Sequence, residues 1–266
     1  MIMLYDPAAF PLFCIIGILL SLAAVPVSLT TARAPAPISN VKIRLRHLFN
    51  TSQVGFAGCL TVGLANGAFW SIGPVFAKQS GLDISGVAFF MSITAIAGAL
   101  GQGPFGFLSD RMDRRKVIAL ICSFASLSGM GMLAFSKLTG TGILMFSFLF
   151  GFFAFPLYAV CVAHTNDHIK PEDYVETASG LLLIHAIGAV IGPSVASTII
   201  SLIGEKGLFG YTAVVHAGMT VFTIRRMRVH GPPPEEDRGV FSEAILNAQT
   251  VAPLNLAKEL PKAQEH

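Results

Sequence analysis

Seven stretches of about twenty residues in this chain contain no Asp, Glu, Lys or Arg, and about twenty apolar residues are what a helix needs to cross the hydrocarbon core of a bilayer. They cover residues 10–29, 54–77, 86–108, 117–135, 142–162, 177–203 and 208–224, the last being short and expected to continue a turn toward Arg225. Only helices and closed barrels satisfy their backbone polar groups inside lipid. These runs are continuously apolar rather than alternating, which excludes the barrel. Charged residues make up 12% of the chain, about half the fraction of an ordinary soluble domain. The expected fold is therefore an all-α integral membrane protein with seven transmembrane helices.

The first run has no basic residue before it and is too long for the apolar core of a signal peptide, so it counts as a true span. Cys14, Cys59, Cys122 and Cys161 fall one to a span without any CxxC pair. They suit small buried apolar positions better than a disulfide framework or a metal site. The net charge of +3 matters less than its placement. If the first span runs outside to inside, cytoplasmic segments hold Arg33, Lys42, Arg44, Arg46, Arg111, Arg114, Arg115, Lys116, Lys170, Arg225, Arg226 and Arg228. The opposite side holds Lys78, Lys137 and Lys206. Twelve against three places the amino terminus outside and the carboxy terminus in the cytoplasm of an inner (plasma) membrane protein.

Three segments follow from this pattern. Residues 1–53 hold the first span and a basic linker, whose stretch 42–47 is amphipathic enough to lie along an anionic inner leaflet. Residues 54–228 form a bundle of six closely spaced spans. Residues 229–266 open with Pro232, Pro233 and Pro234, turn polar, and are expected to be a largely disordered tail, with a short helix around 242–248 as an option. Six helices make one half of the commonest transporter fold, and a long basic loop ahead of such a bundle joins its two halves.

Between the third and fourth spans stands Gly106-Phe107-Leu108-Ser109-Asp110-Arg111-Met112-Asp113-Arg114-Arg115-Lys116. A cytoplasmic loop needs basic residues in any case. It does not need an aspartate after a glycine-rich helix end (Gly98, Gly101, Gly103, Gly106). The segment resembles the signature G-x-L-[AS]-D-R-x-G-R-R-[KR] of the major facilitator superfamily, which links the second and third helices of each half. It departs at Asp113, where glycine is usual, so the turn there is expected to be built differently or to need a left-handed aspartate. Further stretches, among them Gly67-Ala68-Phe69-Trp70-Ser71-Ile72-Gly73-Pro74 and Ala163-His164-Thr165-Asn166-Asp167-His168, resemble the second half of a YcaD-type branch. The resemblance implies a six-helix half-bundle preceded by one extra helix, matching helices six to twelve of a twelve-helix carrier. It further implies that Gly106, Asp110, Arg111, Arg114 and Arg115 form a latch toward the first half in one access state.

The resemblance also implies that the second and fifth spans line a solute cavity. Asn66 and Trp70 lie four residues apart and share a face of the second span, and Tyr158 lies deep in the fifth beside Pro156. Together with Gln102 of the third span they are the substrate-binding candidates, able to hold an amphipathic solute by stacking and hydrogen bonds. The competing role for each is a hydrogen bond or packing contact to a neighbouring helix, or, for Trp70, an interfacial anchor. His185, in the sixth span, is the proton-coupling candidate, against a plain interhelical hydrogen bond. His164 and His168 suggest capping and loop packing rather than a metal site, with Pro171, Glu172 and Asp173 as the first turn of the sixth span. Gly188-Ala189-Val190-Ile191-Gly192-Pro193 is explained by close helix packing. No Asp or Glu lies inside any span, so a proton-coupled carrier would use His185 or a group outside this chain.

A heptahelical receptor or retinal protein fits the span count but not the loop motif, and the seventh span has no lysine for a Schiff base. An enzyme is not expected, since no nucleophile, base and acid set or metal cluster accompanies the spans. No cofactor, metal or nucleic acid is expected. The expected partners are the lipid bilayer, a small-molecule substrate, and a separately encoded first-half bundle or a second copy. The function expected is secondary active transport, with a non-transporting fragment as the alternative.

Overall fold

The structure is a computed structural model, which describes residues 10–28, 44–134, 140–170 and 173–229. The tail beyond 229 and its optional helix lie outside the described residues, as do residues 41–43 of the linker.

Among the described residues the chain forms nine helices and no strand: α1 (Phe10–Ser28), α2 (Leu45–Thr51), α3 (Gln53–Gln79), α4 (Ile84–Arg111), α5 (Arg114–Ala134), α6 (Gly140–Ala154), α7 (Leu157–Asn166), α8 (Tyr174–Ile203) and α9 (Gly207–Val229). Six segments are long and apolar enough to cross a membrane: α3, α4, α5, the combined α6 and α7, α8 and α9. The charge-free α1 precedes them with 19 residues, about 28 Å of helix at 1.5 Å per residue. Ile18, Leu19, Leu20 and Leu22 of α1 are all exposed, as suits a helix whose surroundings are apolar on every side.

The fifth apolar run, continuous in sequence, divides into α6 and α7 at Phe155 and Pro156. Proline has no N–H to give the helix ladder and clashes with the preceding turn. Pro74, Pro104 and Pro193 lie inside α3, α4 and α8 without ending them. The first turn of the sixth span expected at Pro171, Glu172 and Asp173 is only partly covered by the described residues. That helix begins at Tyr174, and Asp173 stands at its N-cap position without a side-chain hydrogen bond; residues 171 and 172 are outside the described set.

Lipid gives little hydrophobic drive for helices to associate, so close van der Waals packing must hold them. On α3, Gly63 and Gly67 abut His185 and Ala189 of α8, and Gly188 and Gly192 abut the backbone of Leu60 and Leu64 in return. Gly101 of α4 lies against the Phe152 carbonyl, Gly151 of α6 against that of Thr94. Two apolar layers fill the interior. One gathers Phe105, Val117, Leu157, Val160 and Met219. The other centres on Phe69, whose ring lies 5.4–5.9 Å from those of Phe90, Phe150 and Phe155.

Candidate functional site

The loop motif is built from the ends of α4 and α5. Arg114 is buried, and its guanidinium meets Asp110 at 3.3 Å and Asp167 at 2.9 Å while donating to Ser109 Oγ at 3.1 Å. The side chains of Arg114 and Asp167 are each 1% exposed, whereas that of Asp110 is 32% exposed. A buried ion pair holds only when further hydrogen bonds satisfy its members, and here Ser109 and a second carboxylate do so. Arg111 takes another direction and lies 3.9 Å over the ring of Phe107. Gly106 is buried and its carbonyl accepts from Ser109 Oγ.

Asp113, where glycine is usual in the motif, needs no left-handed backbone: among the described residues no residue other than glycine has a positive φ. Instead its carboxylate accepts from the Arg115 backbone N–H at 3.0 Å and from the guanidinium at 2.8 Å. This is what a helix N-cap does for an orphan donor of the first turn. Burial pushes the Asp113 carboxyl up, but the hydrogen bonds and charge of Arg115 outweigh it and hold the carboxyl below its ordinary value.

Sequence reasoning missed Asp167. The segment 164–168 does more than cap and pack a loop: Thr165 donates to the Cys161 carbonyl and its Oγ1 is hydrogen-bonded with the hydroxyl of Ser52, whose Oγ accepts from Gly55 N–H as the cap of α3. His168 Nδ1 lies 2.8 Å from the His164 carbonyl. The linker is likewise tied to the bundle rather than only resting on lipid. Leu48 of α2 is buried, and the Arg44 guanidinium makes a two-pronged contact with Glu176 at 2.8 and 2.9 Å.

The five solute and proton candidates gather around the break between α6 and α7 and the seam between α3 and α8. On α3, Asn66, Trp70, Gly63 and Gly67 fall within a sector of about 100°, given 3.6 residues per turn. Trp70 is 49% exposed and stacks on Phe155 with centroids 5.4 Å apart. Tyr158, the second residue of α7, meets the His185 ring edge-on at 5.2 Å. Gln102 follows Gly101, the glycine that abuts Phe152 and Pro156. The His185 ring is hydrogen-bonded to the Cys59 backbone of α3, as the competing role expects, yet three polar atoms of these residues are left over. Asn66 Oδ1, Gln102 Oε1 and His185 Nδ1 are buried and have no hydrogen-bond partner within the protein. Nearby, only 17% of the apolar window of α8 and 28% of that of α4 is buried, against 50% for α3. His216 is fully buried, with Nδ1 held to the Thr212 carbonyl and its ring against Phe150, and its Nε2 is likewise without a partner.

An all-helical bundle with six segments long and apolar enough to cross a membrane, and with this loop signature, is of the multi-pass membrane class. The family model of the Major Facilitator Superfamily matches residues 7–185, and the chain belongs to that superfamily. It is 27% identical over 191 residues to an uncharacterized MFS-type transporter of Enterobacter sp. (strain 638), covering 72% of this chain and 48% of that protein. It is 28% identical over 180 residues to the uncharacterized MFS-type transporter YcaD of Salmonella newport (strain SL254), covering 68% of this chain and 44% of the relative. The same values hold for YcaD of Salmonella typhi. The chain thus spans a little under half the length of these relatives.

Proposed function

We propose that this chain is the carboxy-terminal bundle of an alternating-access secondary transporter, preceded by one helix, in the inner membrane with its amino terminus outside and its carboxy terminus cytoplasmic. One observation carries the reading: Asn66, Gln102 and His185 each keep a buried polar atom without a partner in the protein, and Trp70, one turn from Asn66, is half exposed. An unsatisfied polar group at membrane depth is costly unless function retains it. A passing solute would supply the missing partners, with Trp70 and Tyr158 as its aromatic walls. The other wall comes from a first-half bundle or a second copy, because alternating access needs two bundles rocking about a central site.

The test is uptake into membrane vesicles, read by mass spectrometry of accumulated solutes. The chain alone should insert without saturable uptake. Co-expression with the amino-terminal half of a YcaD relative should restore it, and Trp70→Ala or Asn66→Ala should lower it at least about tenfold, the cost of losing about 1.4 kcal/mol of binding. Saturable transport by this chain as a demonstrated monomer would overturn the half-bundle reading.

A further inference from the structure

Two imidazoles lie well inside the spans, and their surroundings differ. His216 also has an unpartnered nitrogen, Nε2, but is fully enclosed by α9 itself and by Phe150. His185 lies on α8, the least enclosed span, with its ring only partly buried and its Nδ1 unpartnered. We propose that His185, seated between Tyr158 of α7 and the small-residue seam of α3, is a reversible proton-binding site of this bundle. If the transporter reading holds, this site couples solute movement to protons.

The argument starts from the inventory of the ring. A neutral imidazole donates at one nitrogen and accepts at the other, whereas an imidazolium must donate at both. The ring is hydrogen-bonded to the Cys59 backbone of α3 and its buried Nδ1 is left without a partner, so Nδ1 is the nitrogen at which a proton would add. Gly63 of α3 abuts the His185 backbone carbonyl, so the small-residue seam holds α3 close against this turn of α8. The Tyr158 ring, 5.2 Å away, adds an aromatic surface that favours a cation near it.

Little else there competes for the charge. The titratable groups around the site are Cys59 of α3, Tyr158 and Cys161 of α7, and Tyr211 of α9, whose hydroxyl reaches the Leu64 carbonyl at 3.4 Å. The nearest charged group on α8 is Glu176, which is held by Arg44 of the linker. It lies nine residues away, about 14 Å along the helix. From 177 to 203, the run of α8 that holds His185, there is no Asp or Glu to take the proton instead.

The experiment is histidine-selective nitrogen-15 NMR of the full chain in lipid nanodiscs, with His185→Gln and His216→Gln assigning the signals. The His185 nitrogens should titrate between about pH 5 and 8, where imidazoles change charge, while those of His216 stay flat. Tyr158→Leu should move the midpoint by about half a pH unit, since it removes a ring that interacts with the charged form, and Tyr158→Phe should restore it. Signals of His185 that do not move across that range overturn the site, whatever transport measurements give. A normal titration in a chain that still fails to transport with its complement leaves the site standing and overturns the transporter reading instead.

Discussion

At the scale of single residues, the motif aspartate and its distant counterpart carry unequal loads. Asp110 is a third exposed and shares Arg114 with Asp167, which is almost completely enclosed. Exposed pairs contribute roughly 0–1 kcal/mol, whereas removing one partner of a buried pair costs roughly 3–5 kcal/mol because the other charge is left stranded. Thermal unfolding of the detergent-solubilised chain should therefore show Asp110→Asn close to the parent and Asp167→Asn markedly less stable. Equal losses would mean that Asp110, too, is a structural residue of this bundle, and its role toward the first half would lose its support. Asp110, Arg114 and the departure at Asp113 were all legible, because the signature is contiguous. Asp167 was not: 53 residues separate it from Arg114, and in sequence it looked like one more polar residue at a helix end. The N-cap role of Asp113 had a readable signal in an aspartate just ahead of a basic first turn, but the family's glycine directed attention to a left-handed turn instead.

At the scale of elements, glycine determines which helices touch. A Cβ at Gly67 would stand 2.6 Å from the Ala189 Cα, a backbone atom that cannot turn aside, whereas one at Gly103 meets nothing within 4 Å. Gly67→Val should lower stability by roughly 1–3 kcal/mol, the usual cost of overpacking, and reduce the folded yield. Gly103→Ala should leave both unchanged. Loss of fold in Gly103→Ala would show that its face is covered by something other than lipid. The helices themselves were readable from charge-free runs, with ends falling within a few residues of those observed. The division of α6 from α7 was not, although Pro156 marked it. Proline also lies inside three other helices of the chain, so its presence alone does not say which helix will break. The short α2 was partly foreseen as an amphipathic stretch. Its anchorage through Arg44 to Glu176, 132 residues away, has no local signature.

At the scale of the whole molecule, charge and contacts converge on one arrangement across the bilayer. Arg44, Ser52, Arg114, Thr165, Asp167 and Glu176 are bonded to one another in pairs, which brings the start of α3, the turn between α4 and α5, the end of α7 and the start of α8 to one end of the bundle. The turns at Gly81 and Gly204, each with positive φ, belong to the other end, where Leu82 lies next to Gly140. The first end collects most of the arginines and lysines, and cytoplasmic loops are the ones enriched in them. A reporter active only in the cytoplasm should therefore work when fused in the turn after Met112 or beyond Gly231, and fail when fused near Gly81 or Gly140. One active only outside should give the reverse pattern. The four positions test the charge reading independently of any transport assay, since topology is set during insertion. A uniformly inverted pattern would place the Arg114 and Asp167 network on the outer face. A mixed pattern at Gly81 and Gly140 would contradict the bundle itself, because α4 and α5 must each cross once for those two turns to share a side.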